Sequence, residues 1–153
     1  MKNFFKNFEE ILSGFFIILM VTLVISNVIL RYAFNYAIFW SEEVATISFV
    51  WAVFIGSSAV YKHKMDVGID VLILRMSPSN QRIARFCVHF LMLLINAYIL
   101  YLSLVFTIVA YNKPTAVLGV SSAVVNSALI VGFGLITIHT IRFIIEDFKG
   151  KEA

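Results

Sequence analysis

His89 and His139 are the residues of this 153-residue chain whose type and placement most suggest chemistry. His89 follows the start of one long apolar run by a few residues, and His139 precedes the end of the next by a few. Two imidazoles facing each other at one depth of a helical array are what an axially ligated haem requires, as in a membrane anchor subunit of a respiratory complex. The other reading is a pair of neutral, hydrogen-bonded histidines near a membrane surface, and nothing else in the sequence prepares a haem pocket. A second constellation is charged: Arg31 and the pair Glu42 and Glu43 bracket a short aromatic stretch and have the signs for an ion pair. Arg31 can instead snorkel to lipid phosphate while the glutamates serve a helix dipole. No Walker loop, dinucleotide fingerprint, nucleophile elbow or zinc spacing occurs, and the single Cys87 has no second thiol for a disulfide or a metal pair. These absences argue against an enzyme.

The elements that must position these residues follow from composition. Hydrophobic residues make up 61% of the chain and the mean hydropathy is +0.93, too apolar for a soluble core with a wet surface. Four stretches lack charge: Ile11 to Leu30, Val44 to Tyr61, Phe86 to Asn112 and Pro114 to Ile141. Each has about the 20 residues that a helix needs to cross roughly 30 Å of hydrocarbon. The expectation is an all-α membrane protein with four transmembrane helices, at about 11–30, 44–61, 86–110 and 122–144, forming a single domain over 1–153. The first run is longer than the apolar region of a signal peptide and leads straight into Arg31 and Tyr32, so it is read as the first helix.

Ten of the twelve lysines and arginines fall in the two tails and the middle loop, leaving Arg31 and Lys113 on the other side. By the positive-inside rule the tails and middle loop are cytoplasmic and the Arg31–Glu43 loop faces outward. The basic excess therefore reflects topology, and nucleic acid is not an expected partner. Tyr32, Phe34, Tyr36, Phe39 and Trp40 suit headgroup depth, with Tyr32 and Trp40 fixing the depth of the helices. Ser41 is expected to cap the second helix, with Glu42 and Glu43 in its first turn. The middle loop carries an apolar run at about 66–76, read as an interfacial helix that ends at Ser77 and Pro78. Ser79 or Asn80 is expected to cap the third helix, and Ser121 or Ser122 the fourth.

Ser48, Ala52 and Gly56 recur every four residues and share one face, which permits close approach of another helix, within this chain or on a partner. Ala128 and Gly132 repeat the pattern more weakly. The mild polar residues of the spans, among them Ser26, Asn27, Ser48, Ser57, Ser58, Asn96, Asn126 and Ser127, are read as interhelical hydrogen-bonding groups. A transporter that coordinates its own cargo carries ionisable groups or broken helices at mid-membrane. Every acid and every base here lies outside the four runs or at their ends, with Glu9 and Glu10 before the first. The chain reads as a helper to a conduit, and a self-sufficient four-helix exporter is disfavoured on the same ground.

Asn27-Val28-Ile29-Leu30-Arg31-Tyr32, then Trp40-Ser41-Glu42-Glu43, then Phe49-Val50-Trp51 and Ile55-Gly56, closed by Gly68-Ile69-Asp70 and Ser77-Pro78, form one pattern. In these blocks the chain resembles the small membrane subunit, DctQ type, of tripartite ATP-independent periplasmic (TRAP) transporters. Where that family commonly has a histidine four residues before the loop aspartate, this chain has Asp66. The resemblance implies a bacterial inner-membrane scaffold working with two partners. One is a large multi-spanning subunit that carries an organic acid inward with sodium by an elevator-like movement, and the other is a periplasmic binding protein that captures the cargo. C4-dicarboxylates, sialic acids and other sugar acids all remain open. It further implies no catalytic residue and no cofactor on this chain, sodium being held by the large subunit. The residues expected to carry structure and interfaces are Arg31, Tyr32, Trp40, Glu42, Glu43, Ser48, Ala52, Gly56 and Asp70.

Overall fold

The computed structural model describes residues 7–63 and 78–148, which form four long helices: α1 (Phe8–Ala33), α2 (Phe39–Lys62), α3 (Pro78–Ala110) and α4 (Ala123–Phe148). All four are long and apolar enough to cross a membrane. They run past the charge-free stretches because a chain in hydrocarbon must satisfy its backbone polar groups internally, so helical bonding continues into polar flanks. That extension places Glu9 and Glu10 inside the first turn of α1, not in a tail ahead of it. The interfacial segment expected at 66–76, including Asp66 and Asp70, lies outside the described residues.

Two of the expected caps are corrected. α2 starts at Phe39, with Ile38 extended at its N-cap, so Ser41 lies within the first turn and its Oγ donates to the Ile38 carbonyl at 2.7 Å. Asn27 of α1 holds the Ile38 N–H through Oδ1 at 2.9 Å, which fixes the entry into α2 three residues earlier than the serine would. α3 begins at Pro78, ahead of Ser79 and Asn80, and proline suits a first helical position because its missing N–H would have no intrahelical partner there. At α4 the serine expectation holds: Ser121 Oγ accepts the Ala123 N–H at 3.2 Å, and the Ser122 carbonyl accepts from Asn126.

The helix backbones pack in the order α1, α2, α4, α3, and among the described residues no other pair of helices lies backbone against backbone. The result is an open row with α2 and α4 inside, where a closed four-helix arrangement would add a contact between its end members. One end of the row carries both the start of α1 and the end of α4, the tail end. The other carries the two short connections, 34–38 and 111–122, the turn end. Asn35 takes a left-handed φ of +52°, tolerable for Asn, and the Phe34 and Tyr36 N–H groups both return to the Leu30 carbonyl. The second connection is more ordered than an irregular turn. Pro114 and Ser121 form an isolated bridge, Thr115 N–H donates to Val120 at 2.7 Å, and Gly119 occupies φ +65°, where a side chain would be strained.

Candidate functional site

Two places on α2 bring neighbouring backbones unusually close. A Cβ on Gly56 would lie 2.8 Å from Ser13 Oγ of α1, and that same hydroxyl donates to the Ala52 carbonyl at 3.0 Å. On another side of α2, a Cβ on Gly132 of α4 would lie 2.8 Å from Phe54 Cβ and 2.9 Å from the Phe54 carbonyl oxygen. Ser48, Ala52 and Ala128 are buried in these seams. Gly56 and Gly132 therefore seat this chain's own helices α1 and α4 against α2. Trp51 spans the same region, stacking on Phe16 of α1 at 5.7 Å and donating Nε1–H to the Val124 carbonyl of α4 at 3.3 Å.

Hydroxyls in the helices mostly serve their own backbone. Ser48, Ser57 and Ser127 donate to Val44, Val53 and Val124, so the interhelical role expected for them is not what they do. A hydroxyl in a helix finds the carbonyl one turn back at no cost in sequence separation. Among the described residues, Ser13 and Ser58 are the serines that reach across to another helix, and both are buried.

The tail end holds a cluster that local sequence reading missed. Glu9 of α1 accepts Ser58 Oγ–H of α2 through Oε2 at 2.9 Å and pairs with His139 Nε2 of α4 through Oε1 at 2.9 Å. One carboxylate thus ties three helices, with both Glu9 and His139 side chains close to nine-tenths buried. Beside it, Glu10 receives Lys62 Nζ at 3.0 and 3.2 Å and His63 Nε2 at 2.6 Å. The Thr140 hydroxyl, donating to the Ile136 carbonyl, lies 3.0 Å from the Tyr61 hydroxyl. The rings of Tyr61 and His89 lie 5.6 and 5.9 Å from Phe143, which brings α3 to the same corner. The haem reading gains no support here: Glu9 holds Nε2 of His139, and His89 packs on the ring of Phe143. Among the described residues no group of three or more His, Cys, Asp or Glu is placed to share a metal ion.

At the turn end Glu43 turns away from Arg31. Its Oε2 accepts the N–H groups of Val117 at 2.7 Å and Leu118 at 3.1 Å, anchoring the α3–α4 connection to α2. Among the described residues no ion pair joins Arg31 to Glu42 or Glu43, because the 111–122 turn presents two unpaired backbone donors that claim the carboxylate. Glu42 sits exposed in the first turn of α2. Tyr32 and Trp40 are exposed at this end. Reversing the charges of Arg31 and Glu43 together is accordingly expected to give no mutual rescue of stability, whereas Glu43→Ala alone should speed proteolysis of the 111–122 turn in detergent-solubilised protein. Rescue in the double variant would contradict this placement.

Comparison with known proteins falls on the same stretch of chain. The family model described as "Tripartite ATP-independent periplasmic transporters, DctQ component" matches residues 20–150. A protein of Haemophilus influenzae described as a TRAP transporter small permease is 33% identical over 94 residues, covering 61% of this chain and 58% of the relative. The C4-dicarboxylate TRAP transporter small permease protein DctQ of Vibrio cholerae is 39% identical over 80 residues, 52% of this chain and 34% of the relative. The aligned parts thus span about half, or less, of the length of these two relatives. A second small permease of H. influenzae is 26% identical over 140 residues, with 92% of this chain and 85% of the relative covered.

Proposed function

Because the chain belongs to the DctQ component family of TRAP transporters, a family of multi-pass inner-membrane permease subunits and not of enzymes, we propose that it is the fixed scaffold of a three-part importer. It pairs with a large multi-spanning membrane subunit that carries the cargo, and a periplasmic binding protein delivers that cargo. Sodium drives uptake and binds the large subunit, so this chain needs no cofactor of its own. The cargo is an organic acid, a C4-dicarboxylate or a sugar acid. The tail end of the row faces the cytoplasm, in keeping with the ten-to-two distribution of basic residues.

The observation that supports the scaffold role is where the polar chemistry lies. Among the described residues, Glu9, Glu10, Lys62, His63 and His139 tie α1, α2 and α4 at the tail end, and at the turn end Glu43 holds the 111–122 connection to α2 through backbone N–H groups. A helix row closed at both ends by such contacts resists shear, which a stationary support requires and a moving carrier does not.

Reconstitution tests this reading. Proteoliposomes holding this chain and the large subunit, given binding protein, labelled acid and an inward sodium gradient, are expected to accumulate label. Vesicles with this chain alone are expected to stay at the leak rate. Uptake by this chain alone would overturn the scaffold role.

A further inference from the structure

α3 closes one end of the row and, among the described residues, packs against α4 alone. The side it turns to α4 is marked by Asn96, Ser103 and Ala110, all buried and spaced by seven. Tyr98 and Tyr101 each follow a buried member of that series by two residues or precede one by two, about 200° around a helix of 3.6 residues per turn. They therefore point away from the rest of the protein, and they are 63% and 61% exposed.

Their depth is what makes this exposure informative. Tyr98 stands twelve residues from both Phe86 and Ala110, about 18 Å from either at 1.5 Å per residue, and so at the middle of a span with about 15 Å of hydrocarbon on each side. Tyr101 lies one turn nearer the turn end. Tyrosine is at home at the headgroup boundary, where its hydroxyl meets water, and out of place facing acyl chains, where nothing accepts its proton. Neither hydroxyl has a partner among the described residues. The contrast with the other end of the row is direct: the exposed positions of α1 from Ile11 to Ile29 are isoleucine, phenylalanine, valine and Thr22, a face that lipid can cover.

The tyrosines also belong to a pattern. Leu91, Leu94, Tyr98, Tyr101, Val105 and Ile108 are all exposed and follow one another at intervals of three, four, three, four and three. A 3.5-residue period lets one seam face a second helix crossing at about +20°, and because the exposed face of α1 has the same spacing, it is the two tyrosine hydroxyls that set the α3 face apart. We propose that this face of α3 is the docking seam for a transmembrane helix of a different membrane subunit, one that presents hydrogen-bond acceptors opposite Tyr98 and Tyr101. The inference rests on the pairing with a large subunit proposed above and assigns the surface that makes it. It also places α1, whose exposed face between Ile11 and Ile29 is apolar apart from Thr22, at the free end of the assembly.

The test uses the native complex. A photoreactive amino acid is placed at Leu94, which leaves both tyrosines intact, and in a second sample at Ile18 on the outer face of α1. Irradiated membranes are expected to give an adduct with a larger membrane protein from position 94 and none from position 18. In parallel, the Tyr98→Phe, Tyr101→Phe double variant is expected to retain its partner less well through a detergent wash, by about threefold for each hydroxyl lost. Tyr32→Phe, at the turn end, should change nothing. If the unmodified chain copurifies with a large subunit but cross-links to it from position 18 and not from 94, the seam is refuted and the pairing stands. If no large subunit accompanies the unmodified chain, the pairing and the seam both fall. An adduct from position 94 with a second copy of this chain, or full partner retention by the double phenylalanine variant, also overturns the proposal.

Discussion

Gly132→Leu is expected to prevent assembly of the helix row, and Gly132→Ala to weaken it by about 2 kcal/mol, the usual range for an overpacked site. The reason is the identity of what the new atom meets. At Gly132 it meets the α2 backbone at Phe54, with the carbonyl oxygen 2.9 Å away, so the two inner helices must separate. At Gly134 a Cβ meets nothing within 4 Å. Gly134→Ala should therefore be neutral or gain up to about 1 kcal/mol from helix propensity. Gly56→Ala falls between, because Ser13 Oγ can rotate away once it gives up the Ala52 carbonyl. Unfolding by titration of a denaturing detergent into mixed micelles, followed by circular dichroism, ranks the three. Equal losses at Gly132 and Gly134 would refute the close α2–α4 approach.

The second large effect is expected at the tail end. Glu9→Ala leaves Ser58 Oγ and His139 Nε2 facing a buried space with no acceptor, at about 1–3 kcal/mol for each stranded group. A loss of about 3 kcal/mol is expected for the single variant. His139→Ala in the same background should add little, because the histidine's partner is already gone. A double-mutant cycle in the same unfolding assay checks this: coupling of about 1–2 kcal/mol is the expected outcome, and strictly additive losses would show that the Glu9–His139 contact carries no weight. Glu10 is more exposed than Glu9, and its replacement is expected to cost less.

How much of this was legible in the sequence depended on whether a signal was local. The four helices follow from charge-free runs of membrane length, and the spacing of Ser48, Ala52 and Gly56 marks a close-packing face without the structure. The identity of the helix on that face, α1 through Ser13, does not, because spacing on one helix says nothing of its neighbour. Glu9 and Glu10 read only as acids ahead of the first span, for a related reason. Their partners Ser58, Lys62, His63 and His139 lie 49 to 130 residues away. A usable signal was nevertheless present. With four spans, the start of the first helix, the end of the second and the end of the fourth share one end, so two acids and two histidines had to be neighbours there. The Arg31–Glu43 expectation failed because charge pairing was weighed against lipid and dipole alone, while the backbone N–H groups of Val117 and Leu118 were invisible competitors. Serine gave a misleading cue twice. Its hydroxyl satisfies a carbonyl one turn back more readily than one on another helix, and at Ser41 it does the same in place of capping.

The most direct test of the account is to purify this chain, tagged, from its native membrane in mild detergent, identify what accompanies it, and record the visible spectrum of the same sample. A larger multi-spanning membrane protein in constant ratio, with no Soret band, is the predicted result. A chain that arrives alone, or with redox subunits and a haem absorbance, would contradict it.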